Sequence, residues 1–468
     1  MSIEVTKLNL KSPLALVAAL ALLAASGCTT TAPTNTAAPS QPTTSASPAA
    51  TPSPAANGTS TAAANLPVTL PVLDAMFADE AFAGELKSKL QLTDEQVEGL
   101  RKVAGEERAN LDEEGAASGT TAAATRRASE KIQSVIGAEK AAAFNSFVSE
   151  RWAGGSAGGG TLASQPNSVP TDTRVVVNAP AYRMDVFQNG KLIKTYKVGI
   201  GYPEFPLPQG LRKADTIIFN PTWTPPDEPW VKGKFEPGKK VEAGSKDNPL
   251  GPVKIPIGLP SLIHGGKAAA RLGGFASHGC VGLTNPQVQD FSVVLASLGG
   301  AQLTPEEVAA HAKTREETKQ VKLNSPVPVE LRYETIVVED GKLHIYRDVY
   351  DKGTNTEENL RRVLEAFGVK LEDLSGQERA QVTQALQAMA RDAQGNPADG
   401  QPAATPTPTP AKGDNRNANA NVRETKTVKG QKEVVIDIAA LRGKGYPAPV
   451  NLDTGGAPQP KAQSKKKA

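Results

Sequence analysis

Hydrophobic and polar positions alternate with a period of two in three neighbouring stretches, Arg174–Asn178, Tyr182–Gln188 and Lys191–Val198. Successive side chains of a strand point to opposite faces, so this pattern predicts β-strands. Asn189-Gly190 separates the second stretch from the third, and that dipeptide between alternating runs predicts a two-residue hairpin. A second hairpin is expected where Val329–Val338 turns at Asp340-Gly341 into Lys342–Tyr350. The two brackets outline one β-rich domain over residues 171–352.

Residues 66–152 follow the other period. Leu90, Leu92, Val97, Leu100 and Val103 recur at helical spacing, as do Ile132, Val135, Ile136, Phe144, Phe147 and Val148, with Gly115–Gly119 between the halves. A small all-α domain is expected. Its Leu92–Gln96 stretch resembles the LTxxQ motif of small periplasmic stress-related helical proteins, although Thr93 and Gln96 also have the spacing of a capping box; a spacer or docking role is weighed above sensing. Inside the β domain, Asn285 and Pro286 fit the N-cap and first position of a helix over Gln287–Leu298, and Thr304–Gln320 reads as a charged helix-like run. Beyond it, Leu360, Val363, Leu364 and Phe367, then Val382, Leu386 and Met389, predict two accessory helices over 353–395, with Ser375 and Glu378 as a capping box. Glu433–Ile438 has the pattern of a lone strand suited to a sheet edge.

Composition separates these pieces. Residues 29–65 are almost entirely Thr, Ala, Pro, Ser, Asn and Gln, too poor in large apolar groups to offset the entropy of ordering, so a disordered tether is expected. At ~3.1 Å per residue it would extend on the order of 100 Å. A Gly- and Ser-rich linker is expected at 153–170, and a disordered linker with a C-terminal tail at 396–468. The net charge is +3 over 468 residues, which leaves no electrostatic footprint for nucleic acid; Lys465–Lys467 reads as a solvated end. Residues 1–28 place Lys7 and Lys11 before an apolar run from Pro13 to Ala25 and end in Ser26-Gly27-Cys28, the layout of an export signal with a run too short to span a bilayer comfortably.

The chain has 2 cysteines, Cys28 and Cys280. Cys280 closes Ser277-His278-Gly279-Cys280, and His264 lies sixteen positions upstream. A thiol attacks as its thiolate, which a neighbouring imidazole stabilises, so the cluster reads as a cysteine acyl-transfer site. His264 is the first candidate base; His278, two residues from Cys280, is the second. The Gly265 carbonyl is placed to orient the far imidazole nitrogen, the part played elsewhere by Asp or Asn. Backbone N–H groups of Gly279 and Cys280 are the expected oxyanion donors, with the Ser277 hydroxyl holding the loop. Two histidines and a cysteine also suit zinc or copper, but no carboxylate and no further Cys or His lies between 264 and 285, so no metal is expected. A papain-like protease would place its Cys well before its His. His311 and His344 read as surface or packing residues, and Trp223 as either a substrate platform or core.

His264-Gly265, the Gly-rich spacer, Ser277–Val281 and Asn285 resemble the active-site signature of L,D-transpeptidases with the YkuD-type catalytic domain, and Asn220–Pro226 matches that family's pattern upstream. The resemblance extends over about 180 of the 468 residues. It implies a mainly-β, β-sandwich-like α+β catalytic domain with His264 as the base and no cofactor. It further implies attack on the carbonyl between the third residue, typically diaminopimelate, and D-Ala of a peptidoglycan stem tetrapeptide. A Cys280 thioester and 3→3 crosslinks would follow, in cell wall biogenesis and cell shape. Trp223 and Asn285 become candidate substrate contacts. An L,D-carboxypeptidase, a protein-to-peptidoglycan ligase and a catalytically impaired wall-binding lipoprotein are the alternatives. Two departures from the pattern stand out. Gly282 occupies the position where most members carry Arg, and Phe205–Gly210 stands where Thr-Pro-x-Gly is usual, with 231–250 as an insertion, either a lid or a long surface loop. Ala25–Cys28 resembles a lipobox, which implies lipidation of Cys28 and a periplasmic protein anchored to the outer membrane in preference to the inner. An ordinary secretory signal or a Cys28–Cys280 disulfide are the other readings.

Overall fold

The computed structural model describes residues 68–109, 120–152, 165–225, 231, 235–258, 260–397 and 428–453. The export segment with Cys28, the 29–65 tether, Gly115–Gly119, the greater part of the 153–170 linker and Lys465–Lys467 lie outside the described residues.

The N-terminal helices are α1 (Leu70–Phe77), α2 (Glu80–Leu90), α3 (Asp94–Ala109), α4 (Thr121–Ile136) and α5 (Ala138–Trp152). Thr69, Asp79 and Thr120 cap α1, α2 and α4 with side-chain oxygens that accept first-turn N–H groups. Thr93 and Gln96 do the same for α3 reciprocally, at 3.1 and 3.2 Å, so the LTxxQ-like stretch forms a capping box. The apolar stripes converge on Phe82, Leu86, Leu100, Ile132, Phe144 and Val148, all buried.

The β domain contains β1 (Arg174–Asn178), β2 (Arg183–Gln188), β3 (Lys191–Lys197), β4 (Ile200–Gly201), β5 (Gly210–Phe219), β6 (Val253–Pro256), β7 (Leu262–His264), β8 (Phe275–Ser277), β9 (Val281–Gly282) and β10 (Lys319–Arg332). One sheet runs β3-β2-β1-β10-β5-β6-β7-β9, and β4 pairs with β8 alongside it. Asn189 and Gly190 take φ of 49° and 77°, the two positive values that a type I′ turn demands. β10 is parallel to β1 on one side and antiparallel to β5 on the other, and so welds the opening meander to the half of the sheet that ends in β7 and β9.

Several expectations are corrected here. Val329–Val338 is not one strand: β10 ends at Arg332, and Asn178 grips the bend that follows, donating to Glu334 O and accepting from Glu334 N, both at 2.9 Å. The chain then changes sheets. β11 (Ile336–Glu339) and β12 (Lys342–Tyr346) turn at Asp340-Gly341 as anticipated, but they join β13 (Glu433–Asp437) in a second sheet. α8 (Glu357–Ala366) and α9 (Gly376–Met389) pack on it through Leu360, Leu364, Val382 and Met389. The main sheet therefore stops at 332, although Val349 and Tyr350 still pack into its core. The expected tail at 396–468 includes β13 and a strap: Thr195 exchanges hydrogen bonds with Val450 and Asp453, which covers the outer edge of β3.

A further correction is a shift of one residue. α6 (Asn285–Leu298) is capped by Thr284 with Gln287 as its reciprocal partner, so Asn285 is the first helical residue. α7 (Pro305–Lys313) is shorter than the charged run, because Lys319 already belongs to β10. α6 packs against β6 and buries Val288, Phe291 and Leu295 completely; the Phe291 ring meets Tyr196 edge-on at 5.7 Å. Phe291→Ala is expected to cost about 3–5 kcal/mol in denaturant unfolding and Phe291→Leu much less. Equal losses for the two variants would show that the ring's volume is not what holds α6.

Candidate active site

β7 and β9 run parallel, with Ile263 opposite Val281 and His264 opposite Gly282. One residue further back, this register sets Leu262 against Cys280, to which the Leu262 backbone donates a hydrogen bond. Positions 262, 264, 280 and 282 then share one face, while Ile263 and Val281 face the core, fully buried. The sheet thus brings the sequence-predicted histidine and cysteine onto one surface.

Cys280 carries a free, half-buried thiol. Burial pushes its pKa up; a hydrogen bond from the Leu262 backbone and the Lys267 ammonium act against that. His264 is 3% exposed, and its Nδ1 lies 2.8 Å from the Gly265 carbonyl. The Leu250 carbonyl is a second backbone acceptor for the ring. Both carbonyls favour the charged imidazole, but burial, reinforced by Lys267, outweighs them and pushes His264 down to about 3. At neutral pH the ring is therefore uncharged.

Ser277 holds the cysteine loop: its Oγ accepts from the Cys280 N–H at 3.1 Å and donates to the Cys280 carbonyl. Of the two expected oxyanion donors, the Cys280 N–H is thus engaged by Ser277. Gly279 takes a positive φ of 85° in the same loop. His278, the second candidate base, sits between the rings of Tyr202 and Phe205, at 5.2 and 5.0 Å. The 202–205 segment that carries those rings is gripped by the N-terminal helices: Thr69 Oγ1 donates to Glu204 O at 2.5 Å and Thr121 Oγ1 to Pro203 O at 2.8 Å.

The two candidate substrate contacts have structural partners. Asn285 Oδ1 accepts from Gly266 N–H at 2.7 Å and ties the turn after His264 to the start of α6. Trp223 bridges to Val241 through paired backbone hydrogen bonds and meets the Phe235 ring at 5.1 Å, bracing the inserted loop. That insertion ends at Leu250, whose carbonyl faces His264, so its final residues help to build the site. His311 packs on Phe219 at 4.6 Å, and His344 meets Glu433 at 2.6 Å in the second sheet. Sequence reasoning did not single out Lys267, Leu262 or Leu250. Lys267 alone left a trace there: with Arg271 it provides the charges of the small-residue stretch between His264 and Phe275.

Residues 172–297 match the family model of the YkuD domain, the L,D-transpeptidase catalytic domain. The β domain is of the L,D-transpeptidase type. Similar solved structures include the catalytic domain of an E. faecium L,D-transpeptidase, 16% identical over 35% of this chain and 100% of that one, with a TM-score of 0.23. L,D-transpeptidases from Mycobacterium smegmatis (15% identity, TM-score 0.21) and Mycobacterium tuberculosis (13%, 0.20) also match, each over 34% of this chain and over 58% and 57% of their own. The chain thus spans little more than half the length of the two mycobacterial enzymes. No curated protein matches it. β10, the strand that joins the two halves of this L,D-transpeptidase-type sheet, lies beyond the matched residues.

The state of His264 has a measurable consequence. Its pKa of about 3 in the folded chain lies below the ordinary ~6.5, so the folded chain binds fewer protons than the unfolded one between those values. The stability it contributes is complete above about pH 6.5 and is lost as pH falls towards 3. The unfolding free energy of His264→Gln is accordingly expected to fall less steeply than that of the wild type between about pH 6 and pH 4. Identical slopes would mean that the imidazole is not held neutral by the fold.

Proposed function

We propose that the chain is a peptidoglycan L,D-transpeptidase working through a Cys280 thioester. The observation that carries this reading is the shared face of β7 and β9, with the Cys280 thiol and a neutral His264 oriented by the Gly265 carbonyl. His264 takes the thiol proton as the sulfur attacks the carbonyl between the third residue and D-Ala of a stem tetrapeptide. The tetrahedral intermediate collapses, the imidazolium returns the proton to the leaving amine, and D-Ala departs. The side-chain amine of a second stem then attacks the thioester, forms the 3→3 amide bond and regenerates the thiol. No metal or organic cofactor enters this scheme.

Localisation belongs to the same proposal: Cys28 lipidated at the outer membrane, with the 29–65 segment letting the enzyme reach the periplasmic wall layer. A water acceptor would make it an L,D-carboxypeptidase and a protein lysine a protein-to-wall ligase. Retention of both His264 and Cys280 speaks against a purely wall-binding lipoprotein, since binding needs neither.

The test is mass spectrometry of tetrapeptide muropeptides incubated with the purified chain. Cys280-dependent 3→3 dimers are expected. Cys280→Ala removes them, His264→Ala lowers their rate by about 10²–10⁴-fold, the usual worth of a positioned general base, and His278→Ala has a milder effect. Tripeptide alone would replace the proposal with a carboxypeptidase. Unchanged substrate with retained wall binding would favour the structural reading, and full activity in Cys280→Ala would overturn the mechanism.

A further inference from the structure

Position 282, two residues after the cysteine, holds a glycine, and the space beside it is filled from elsewhere. A Cβ on Gly282 would lie 2.8 Å from Lys267 Cγ, 3.2 Å from Cε and 3.4 Å from Cδ. The stem of Lys267 therefore lies flat across Gly282, closer than any side chain there would allow. Gly282 is not among the residues with positive φ, so glycine is needed here for room and not for backbone freedom. The Lys267 backbone N–H donates to Leu283 O at 3.1 Å, and Asn285 secures the neighbouring Gly266, so the lysine leaves a turn fixed at two points.

The stem's position decides where the charge goes. Residues 280 and 282 share a face of the sheet, and a side chain lying over 282 is on the side of the thiol. The ammonium acts on both reacting groups, drawing the Cys280 thiol down and helping to keep His264 uncharged. Burial pushes Lys267 itself down to about 8, with Cys280 opposing and Arg271 reinforcing that shift; no carboxylate is among the groups acting on it. A lysine with such a value still carries its proton for most of the time at neutral pH.

We propose that Lys267 is the electrostatic partner of the Cys280 thiolate, reaching it over Gly282. When His264 accepts the thiol proton, the negative charge left on sulfur faces a fixed ammonium in a half-buried site, where such a pair interacts more strongly than in water. Lys267 acts through Cys280 and is a positioning residue. Gly282 is its complement: the glycine gives the room, and the lysine brings the charge. The inference builds on the acyl-transfer reading, but its central quantity, the thiolate fraction of Cys280, is measurable without substrate.

The experiment is the pH dependence of Cys280 alkylation by iodoacetamide in the purified chain, read by mass spectrometry on the peptide that contains Cys280. Lys267 is the ionisable group that acts on the thiol, while Arg271 acts on Lys267, and Lys267 and His278 act on His264. Lys267→Met keeps the stem and removes the charge, and Lys267→Gln is the second variant should Met perturb folding. Either is expected to move the alkylation midpoint up by about one pH unit, a tenfold loss of reactivity below the midpoint. Gly282→Arg alone must displace the Lys267 stem and is expected to lose reactivity. Lys267→Ala combined with Gly282→Arg frees that space, returns a cation to it and is expected to recover most of the reactivity. A wild-type midpoint in both Lys267→Met and Lys267→Gln overturns the proposal, whatever their turnover. A shifted midpoint in a chain that forms no crosslinks would uphold Lys267 while removing the wall-crosslinking function.

Discussion

The parallel pairing of β7 with β9 is the contact on which the site depends. Sixteen positions separate His264 from Cys280 in the chain, and nothing local holds such a span in one geometry. With Ile263 opposite Val281, both fully buried, a slip of one residue would turn His264 into the core and an apolar side chain out of it. Burial of two β-branched residues thus fixes the register that the polar chemistry uses. The arrangement is reinforced from behind, where α6 covers β6 and its first residue, Asn285, secures the turn after His264.

Electrostatics in the site is a contest between burial and a few fixed partners. Burial disfavours charge on Cys280, His264 and Lys267 alike. For the imidazole, burial wins over two backbone carbonyls, and the ring is left as a neutral acceptor. For the thiol, the opposing influences are the Leu262 backbone and Lys267, so any thiolate formed depends on them. His278 has a different setting. It is wedged between Tyr202 and Phe205 on a segment that the N-terminal helices hold through Thr69 and Thr121, which makes the helical domain part of the support around the cysteine loop.

What could be read in the sequence was what local chemistry determines. The β1-β2-β3 meander with its Asn-Gly turn, the Thr93–Gln96 capping box and the Ser277–Cys280 tetrad declare themselves within a few residues. The change of sheet after Arg332 does not. Tyr333-Glu334-Thr335 holds neither Gly nor Pro to mark a break, and the bend is made by Asn178, more than 150 positions earlier. β13 was recognisable as a strand, but its partner β12 lies about 90 residues away, so its sheet was not recognisable. Lys267 was visible as a charge among glycines and alanines, and Gly282 as a missing cation. Only the fold lays one across the other.

Intact-mass analysis of the chain after brief incubation with a disaccharide tetrapeptide, followed by mapping of the modified residue, shows whether Cys280 is the nucleophile. A covalent adduct on Cys280 equal to the donor less D-Ala is expected, absent from Cys280→Ala. Product formation with Cys280 unmodified throughout, or an adduct carried by another residue, would contradict it.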